Sequence, residues 1–212
     1  MPTNNFDHID TWIFDLDQTL YPKSIGLEKQ VVLNMRRFIA AAAGITPDEA
    51  DKLGEKFFLT YGSCLVGATA ELGIDQESAY RTSYWELDLE KVNPNQALRA
   101  MLAALPGRKI IFTNATRYHA ERVLKKMNLL DMFEVIVDVK DMGYVPKPDP
   151  VAFDKLIDIT GVNPATSIFF EDSLRNLKYA KSLGMSTVHI TDKPAGEDFV
   201  DLTLSAPEDF SI

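Results

Sequence analysis

The feature that most limits how this chain can fold is an alternation in its second half. Short apolar, β-prone runs recur at 109–112, 135–137, 167–170 and 187–190. Between them lie segments whose apolar residues fall three and four apart: Val123, Leu124 and Met127; Phe153, Leu156 and Ile157; Leu177, Ala180 and Leu183. Strands that are apolar throughout have no face to offer water. Helices between them must therefore cover both sides of a parallel sheet. A further run, Thr11-Trp12-Ile13-Phe14, would supply the first strand of that sheet. With 212 residues, 46% of them hydrophobic, the chain can bury one large core or two small ones. The expected fold class is α/β, a doubly wound parallel sheet.

The stretch 24–89 reads differently. Apolar periodicity runs through 31–42, 50–59, 64–72 and 79–87, all of it helical. Thr46-Pro47-Asp48-Glu49 has the form of a helix start, with Thr46 as N-cap, Pro47 at the first position and Glu49 reaching back. Gly44, Gly62 and Gly73 fall where helices would stop. Proline-containing joints, Tyr21-Pro22 and Asn93-Pro94-Asn95, bracket the block. The expected organisation is an α/β core, 1–21 and 96–212, interrupted after its first strand by an all-helical insertion, 22–95. A helical bundle packed rigidly into the same domain is the other arrangement the pattern allows.

Charge narrows the partners. Against 31 Asp+Glu stand 22 Lys+Arg, a net −9, which disfavours a nucleic-acid polymer or an anionic membrane surface. The single cysteine, Cys64, can form no internal disulfide and suits a small buried residue. No apolar run approaches the roughly 18 residues of a membrane span, and Met1–Asn5 carry no basic region leading into an apolar one. A soluble cytoplasmic protein is expected.

Ligands of doubly wound sheets bind beyond the carboxyl ends of the strands, so the residues following each apolar run matter most. After Phe14 come Asp15, Asp17 and Thr19; after Phe112 come Thr113 and Asn114; after Phe170 come Glu171 and Asp172. Singly, each acid has a plain structural use; Asp172-Ser173 before Leu174 would serve as a helix cap. Four carboxylates converging on one sheet end repel one another unless a cation sits among them. All-oxygen ligands without His or Cys suit Mg²⁺ rather than Zn²⁺. Lys147, in Val145-Pro146-Lys147-Pro148-Asp149-Pro150, would add a positive charge on a loop stiffened by prolines.

Taken in order, Asp15-Leu16-Asp17-Gln18-Thr19, Phe112-Thr113-Asn114, Lys147-Pro148 and Phe170-Glu171-Asp172-Ser173 resemble the four motifs of the haloacid dehalogenase superfamily. The resemblance runs from about residue 10 to 190, with the helical block in the place of that superfamily's cap. It is nearest to the pyrimidine 5'-nucleotidase-type branch. It differs in Gln18, in Glu171 where Asp is usual, and in Ala115-Thr116 where glycine often stands.

The resemblance implies a Mg²⁺-dependent phosphomonoester hydrolase acting on a small phosphate ester, a nucleoside 5'-monophosphate with pyrimidine preferred. Asp15 would be the nucleophile and Asp17 the general acid and base. Thr113 and the backbone around Asn114 would hold phosphoryl oxygens, and Lys147 would steady their charge. Asp15, the Asp17 carbonyl and Asp172 would bind the metal, with Glu171 a direct or water-mediated ligand. Asp17 and the acidic pair disfavour a dehalogenase. A sugar-phosphate or phosphoglycolate phosphatase, a β-phosphoglucomutase-like mutase and a non-catalytic phosphate binder stay open. Tyr21, Tyr61, Trp85 and Arg117 are candidates to face the rest of the substrate, though aromatics at helical spacing also suit a core. His119 suits the site or a surface turn equally; His8 and His189 carry no pattern.

Overall fold

The computed structural model describes residues 6–194 and 196–211; Met1–Asn5, and the expectation about a leader, lie outside them. Six strands, β1 (Thr11–Phe14), β2 (Arg108–Phe112), β3 (Val135–Val137), β4 (Ser167–Glu171), β5 (Ser186–Ile190) and β6 (Leu202–Leu204), form one sheet in the order β3-β2-β1-β4-β5-β6. Every pairing is parallel, with Phe14 opposite Ile111 on one side and Phe170 on the other. The chain winds outward in one direction from β1 and in the other from β4. The gap between those two strands is the switch point where such sheets bind ligands.

Side chains alternate across the strands, so adjacent residues serve opposite layers. Trp12, Phe14, Ile111 and Phe170 face one layer, where Leu98 and Leu102 of α5 (Gln96–Ala104) and Val123 and Leu124 of α6 (Arg117–Lys126) meet them. Labels α1 to α4 belong to the inserted helices below. Ile13, Phe112 and Phe169 face the other layer, against Phe153 and Leu156 of α7 (Pro150–Thr160) and Leu177 and Ala180 of α8 (Leu174–Ser182). Phe14 stacks on Phe170 at 4.5 Å, and Phe112 meets Phe153 edge-on at 5.2 Å. Each such fully buried side chain stabilises the fold by about 1.5–3 kcal/mol of apolar transfer.

Helices α1 (Leu27–Ala43), α2 (Pro47–Tyr61), α3 (Cys64–Leu72) and α4 (Gln76–Tyr84) make up the inserted block. The Thr46 capping box forms as expected: its hydroxyl accepts from the Glu49 N–H at 3.3 Å, and Glu49 accepts from the Thr46 N–H at 2.9 Å. Gly67 lets α3 lie against α2, because a Cβ there would sit 2.5 Å from the Phe57 Cβ. The block meets the core through named contacts. Tyr80 packs on Tyr144 at 5.5 Å, Tyr84 on His119 at 5.2 Å, and Lys140 pairs with Glu77 at 2.8 Å.

One expectation about elements needs correction. The periodicity through 79–87 overruns its helix, which ends at Tyr84; Trp85 is extended and Glu86 takes a positive φ of 50°. The strand β6 was not legible, since Leu202-Thr203-Leu204 is short and only half buried at the sheet edge. Among the described residues, no helix is long and apolar enough to cross a membrane.

Candidate active site

The ladder carries β1 one residue past its end: the Asp15 N–H donates to the Phe170 carbonyl at 2.9 Å. Asp15 is thereby fixed at the switch point, beside the strand end that bears Glu171 and Asp172. Three residues on, Gln18 adopts a φ of 66°, a left-handed conformation that is uncommon for a non-glycine residue. This turn sends Asp17 back over the same strand ends. On the neighbouring strand, the Thr113 N–H donates to the Val137 carbonyl at 3.0 Å, setting Thr113 at the rim.

Lys147 enters from the loop before α7 and is fully buried. Its three donors meet three acceptors: Asp15 Oδ1 at 2.8 Å, the Phe112 carbonyl at 2.6 Å and Glu171 Oε2 at 3.0 Å. Asn114 holds that loop in place. Its amide donates to the Lys147 carbonyl at 3.1 Å and accepts from the Lys147 N–H at 2.8 Å. The Asn114 side chain is therefore engaged with the lysine's backbone.

Glu171 is similarly committed. Oε2 also accepts from Asn176 at 2.9 Å, and Oε1 accepts from the Ser173 N–H at 3.1 Å. Candidate ligand oxygens of Asp15, Glu171 and Asp172 all lie within 4.8 Å of one another. Burial first, then the Glu171 charge, pushes Asp15 up to about 7 even though Lys147 pulls the other way. The same two causes push Asp172 up to about 9. For Lys147, burial opposes its charge, but Asp15 and Glu171 outweigh it and hold the ammonium above its ordinary range. Carboxylates raised in this way retain protons that a divalent cation would displace. The donor set is hard oxygen throughout, so the residues fit Mg²⁺.

Asp17 stands apart from that trio. His119 Nε2 lies 2.8 Å from Asp17 Oδ1, and the Tyr21 hydroxyl donates to the same oxygen. Burial works against ionising Asp17, yet the His119 ring and then Tyr21 hold it below the usual carboxylate range. His119 is completely buried, which rules out the surface reading. Sequence also gave no hint that His189 would matter; its Nε2 lies 3.0 Å from the Asp172 carbonyl and braces that backbone.

Asp15, Asp17, Thr113, Lys147, Glu171 and Asp172 line a cleft of about 430 Å³ that continues over Gln18, Glu28, Val31, Phe58, Tyr84 and Arg175. Tyr61 lies in an adjoining recess with Gly62 and Arg175. Trp85 and Arg117 are elsewhere. Trp85 stacks on Tyr118 at 5.0 Å and borders a separate hollow of about 810 Å³. Arg117 is spent on the Ile136 carbonyl at 2.6 Å and Asp141 at 2.7 Å. Helical spacing alone does not say which way an exposed residue faces.

The chain belongs to the haloacid dehalogenase-like hydrolase family, whose profile matches residues 9–184. Phosphate metabolism protein 8 of Saccharomyces cerevisiae is 29% identical over 192 residues, 84% of this chain; the match spans only 60% of that relative's length. A HAD phosphatase from Thermococcus onnurineus superposes with a TM-score of 0.64 at 23% identity, covering 93% of this chain and 94% of its own. The HAD-hydrolase YfnB from Bacillus subtilis, solved bound to magnesium, gives a TM-score of 0.60 at 15% identity and covers 95% and 96%. These structural likenesses speak to the fold.

Proposed function

We propose that this protein is a Mg²⁺-dependent phosphomonoester hydrolase, with 22–95 as a cap over a core of 1–21 and 96–212. One observation carries the reading: Asp15 is held 2.8 Å from a buried lysine, within a three-carboxylate cluster, with Asp17 aimed at the same cleft. Asp15, Asp172, Glu171 and the Asp17 carbonyl are the groups that would hold the ion. When bound, it supplies charge neutralisation for the transferring phosphoryl group.

The chain's own residues then divide the work. An Asp15 carboxylate oxygen attacks phosphorus, and the P–O bond to the leaving alcohol breaks as Asp17 protonates that oxygen. Water next attacks the phosphorus of the Asp15 phosphoryl ester. Asp17 takes its proton, the bond to Asp15 breaks, and inorganic phosphate leaves. Thr113 and the main chain at Asn114 cradle the phosphoryl oxygens, while Lys147 offsets their charge and keeps Asp15 aimed. Preorganised charge of this kind is the main source of acceleration in phosphoryl transfer.

For the rest of the substrate we infer a nucleoside 5'-monophosphate, pyrimidine preferred. The cleft is within the range of about 300–1,000 Å³ usual for small-molecule sites. Phe58 is 55% exposed there, an apolar face that a base would cover, with Gln18, Glu28 and Arg175 nearby as polar partners. Phosphate release from UMP, CMP, AMP, phosphoglycolate and a hexose phosphate tests this reading. UMP and CMP are expected to give the highest kcat/KM. A hexose phosphate converted to an isomer without free phosphate would replace it with the mutase reading.

A further inference from the structure

His119 is the most deeply buried polar side chain near the cleft that the mechanism above leaves without work. It sits in the first turn of α6, which follows β2 after the short segment 113–116. The ring is wholly shielded from water, packed against Tyr84 at 5.2 Å, and its Nδ1 has no hydrogen-bond partner. A carboxylate only accepts, so His119 Nε2 must carry the hydrogen that lies between it and Asp17. Tyr21, from the loop after β1, donates to the same oxygen, Oδ1. No group among the described residues bonds Oδ2. Two donors from different parts of the chain thus converge on one carboxylate oxygen and leave the other bare on a side chain 27% exposed to the cleft.

We propose that His119 and Tyr21 are positioning residues: together they pin Asp17 Oδ1 and thereby present Oδ2 as the atom that exchanges a proton with the leaving group. The role rests on the phosphatase reading above. Without the two donors the carboxyl group can rotate about its Cβ–Cγ bond, and either oxygen would face the cleft at a wrong angle. Tyr84, carried by the helical block, backs the His119 ring, so the block that covers the cleft also buttresses the proton donor.

Leaving-group dependence tests this. Tyr21→Phe keeps the ring and removes only the hydroxyl; His119→Ala removes the donor; His119→Gln can return an N–H near the Nε2 position. Each is compared with wild type on p-nitrophenyl, phenyl and benzyl phosphate, reading kcat/KM, after circular dichroism has established folding. p-Nitrophenolate leaves without a proton, whereas benzyl alkoxide needs one. General acid catalysis contributes about 10²–10⁴-fold, so the benzyl ester is expected to lose about 10-fold or more while the nitrophenyl ester loses less than about 3-fold. His119→Gln is expected to recover part of the benzyl loss. An equal loss on all three esters, or none, would overturn the positioning role, and Tyr21→Phe decides the matter if His119→Ala does not fold. If wild type hydrolysed none of the esters, the phosphatase reading itself would fall and take this role with it.

Discussion

Asp15→Asn is expected to fold normally and to lose essentially all turnover. The substitution keeps the shape of the side chain and can still accept from Lys147, so the buried ammonium retains three acceptors. It also removes one charge from a cluster in which burial and Glu171 already hold Asp15 up to about 7. Stability should therefore hold or rise slightly. Activity should not survive, because an amide is a poor nucleophile toward phosphorus and the covalent route has no substitute. Removing a nucleophile from a catalytic unit costs about 10⁴–10⁶ in kcat. Steady-state release of p-nitrophenol, alongside a thermal melt, checks both halves. Substantial residual turnover by a folded variant would remove Asp15 from the role.

Lys147→Met is expected to damage both activity and the fold. Methionine fills nearly the same space between Phe112 and Phe169, whose rings lie 4.8 and 5.0 Å from the ammonium. The charge is what disappears, leaving Asp15 and Glu171 buried without their shared partner. Breaking one side of a buried ion pair costs about 3–5 kcal/mol, which for a chain of this size lowers the melting temperature on the order of 10 °C. The pH dependence carries a definite sign. With the lysine gone, the folded-state value of Asp15 rises further above the ordinary 3.8. A carboxyl group raised on folding binds more protons in the native state, so stability falls as pH rises. The charge part of the deficit should be absent near pH 4–6, where Asp15 is protonated in both folded proteins, and should set in above about 7, where wild-type Asp15 ionises and the variant's does not. Melts in a chelator across that range measure it. A pH-independent deficit would mean that lost packing, and not uncompensated charge, is responsible. Turnover should drop by about 10²–10³, the usual effect of deleting one preorganised electrostatic group.

Much of this site was legible because parallel sheets convert sequence order into spatial order. An acid directly after an apolar strand must emerge at the carboxyl edge, and that rule alone brought Asp15, Thr113, Glu171 and Asp172 together. Lys147 was legible through its proline-bound loop and the motif order. What escaped notice depends on rotation about helix axes and on packing between blocks. His119 lies on α6, where nothing in the sequence separates a buried donor from an exposed turn. Tyr21, open between substrate and core on sequence grounds, is buried and reaches back to Asp17, four residues earlier. The Asn114 side chain's hold on the Lys147 backbone, with two hydrogen bonds, had no sequence signal. Trp85 fell outside its expected helix because the chain leaves the helical conformation after Tyr84. Edge strand β6 is too short and too half-buried to stand out from a loop. For His119 and Asn114 the deciding quantity was a tertiary contact, which periodicity does not encode.

The central claim is that Asp15 carries the phosphoryl group between the two halves of the reaction. The direct measurement mixes the protein with a phosphomonoester that it hydrolyses, quenches in acid within the first turnover, and maps the added mass by peptide mass spectrometry. With Mg²⁺ present, one phosphoryl group is expected on the peptide holding Asp15, absent from Asp15→Asn and strongly reduced in excess chelator. Phosphate released in that first turnover with no protein-bound phosphoryl group, or with one on another residue, would contradict the account.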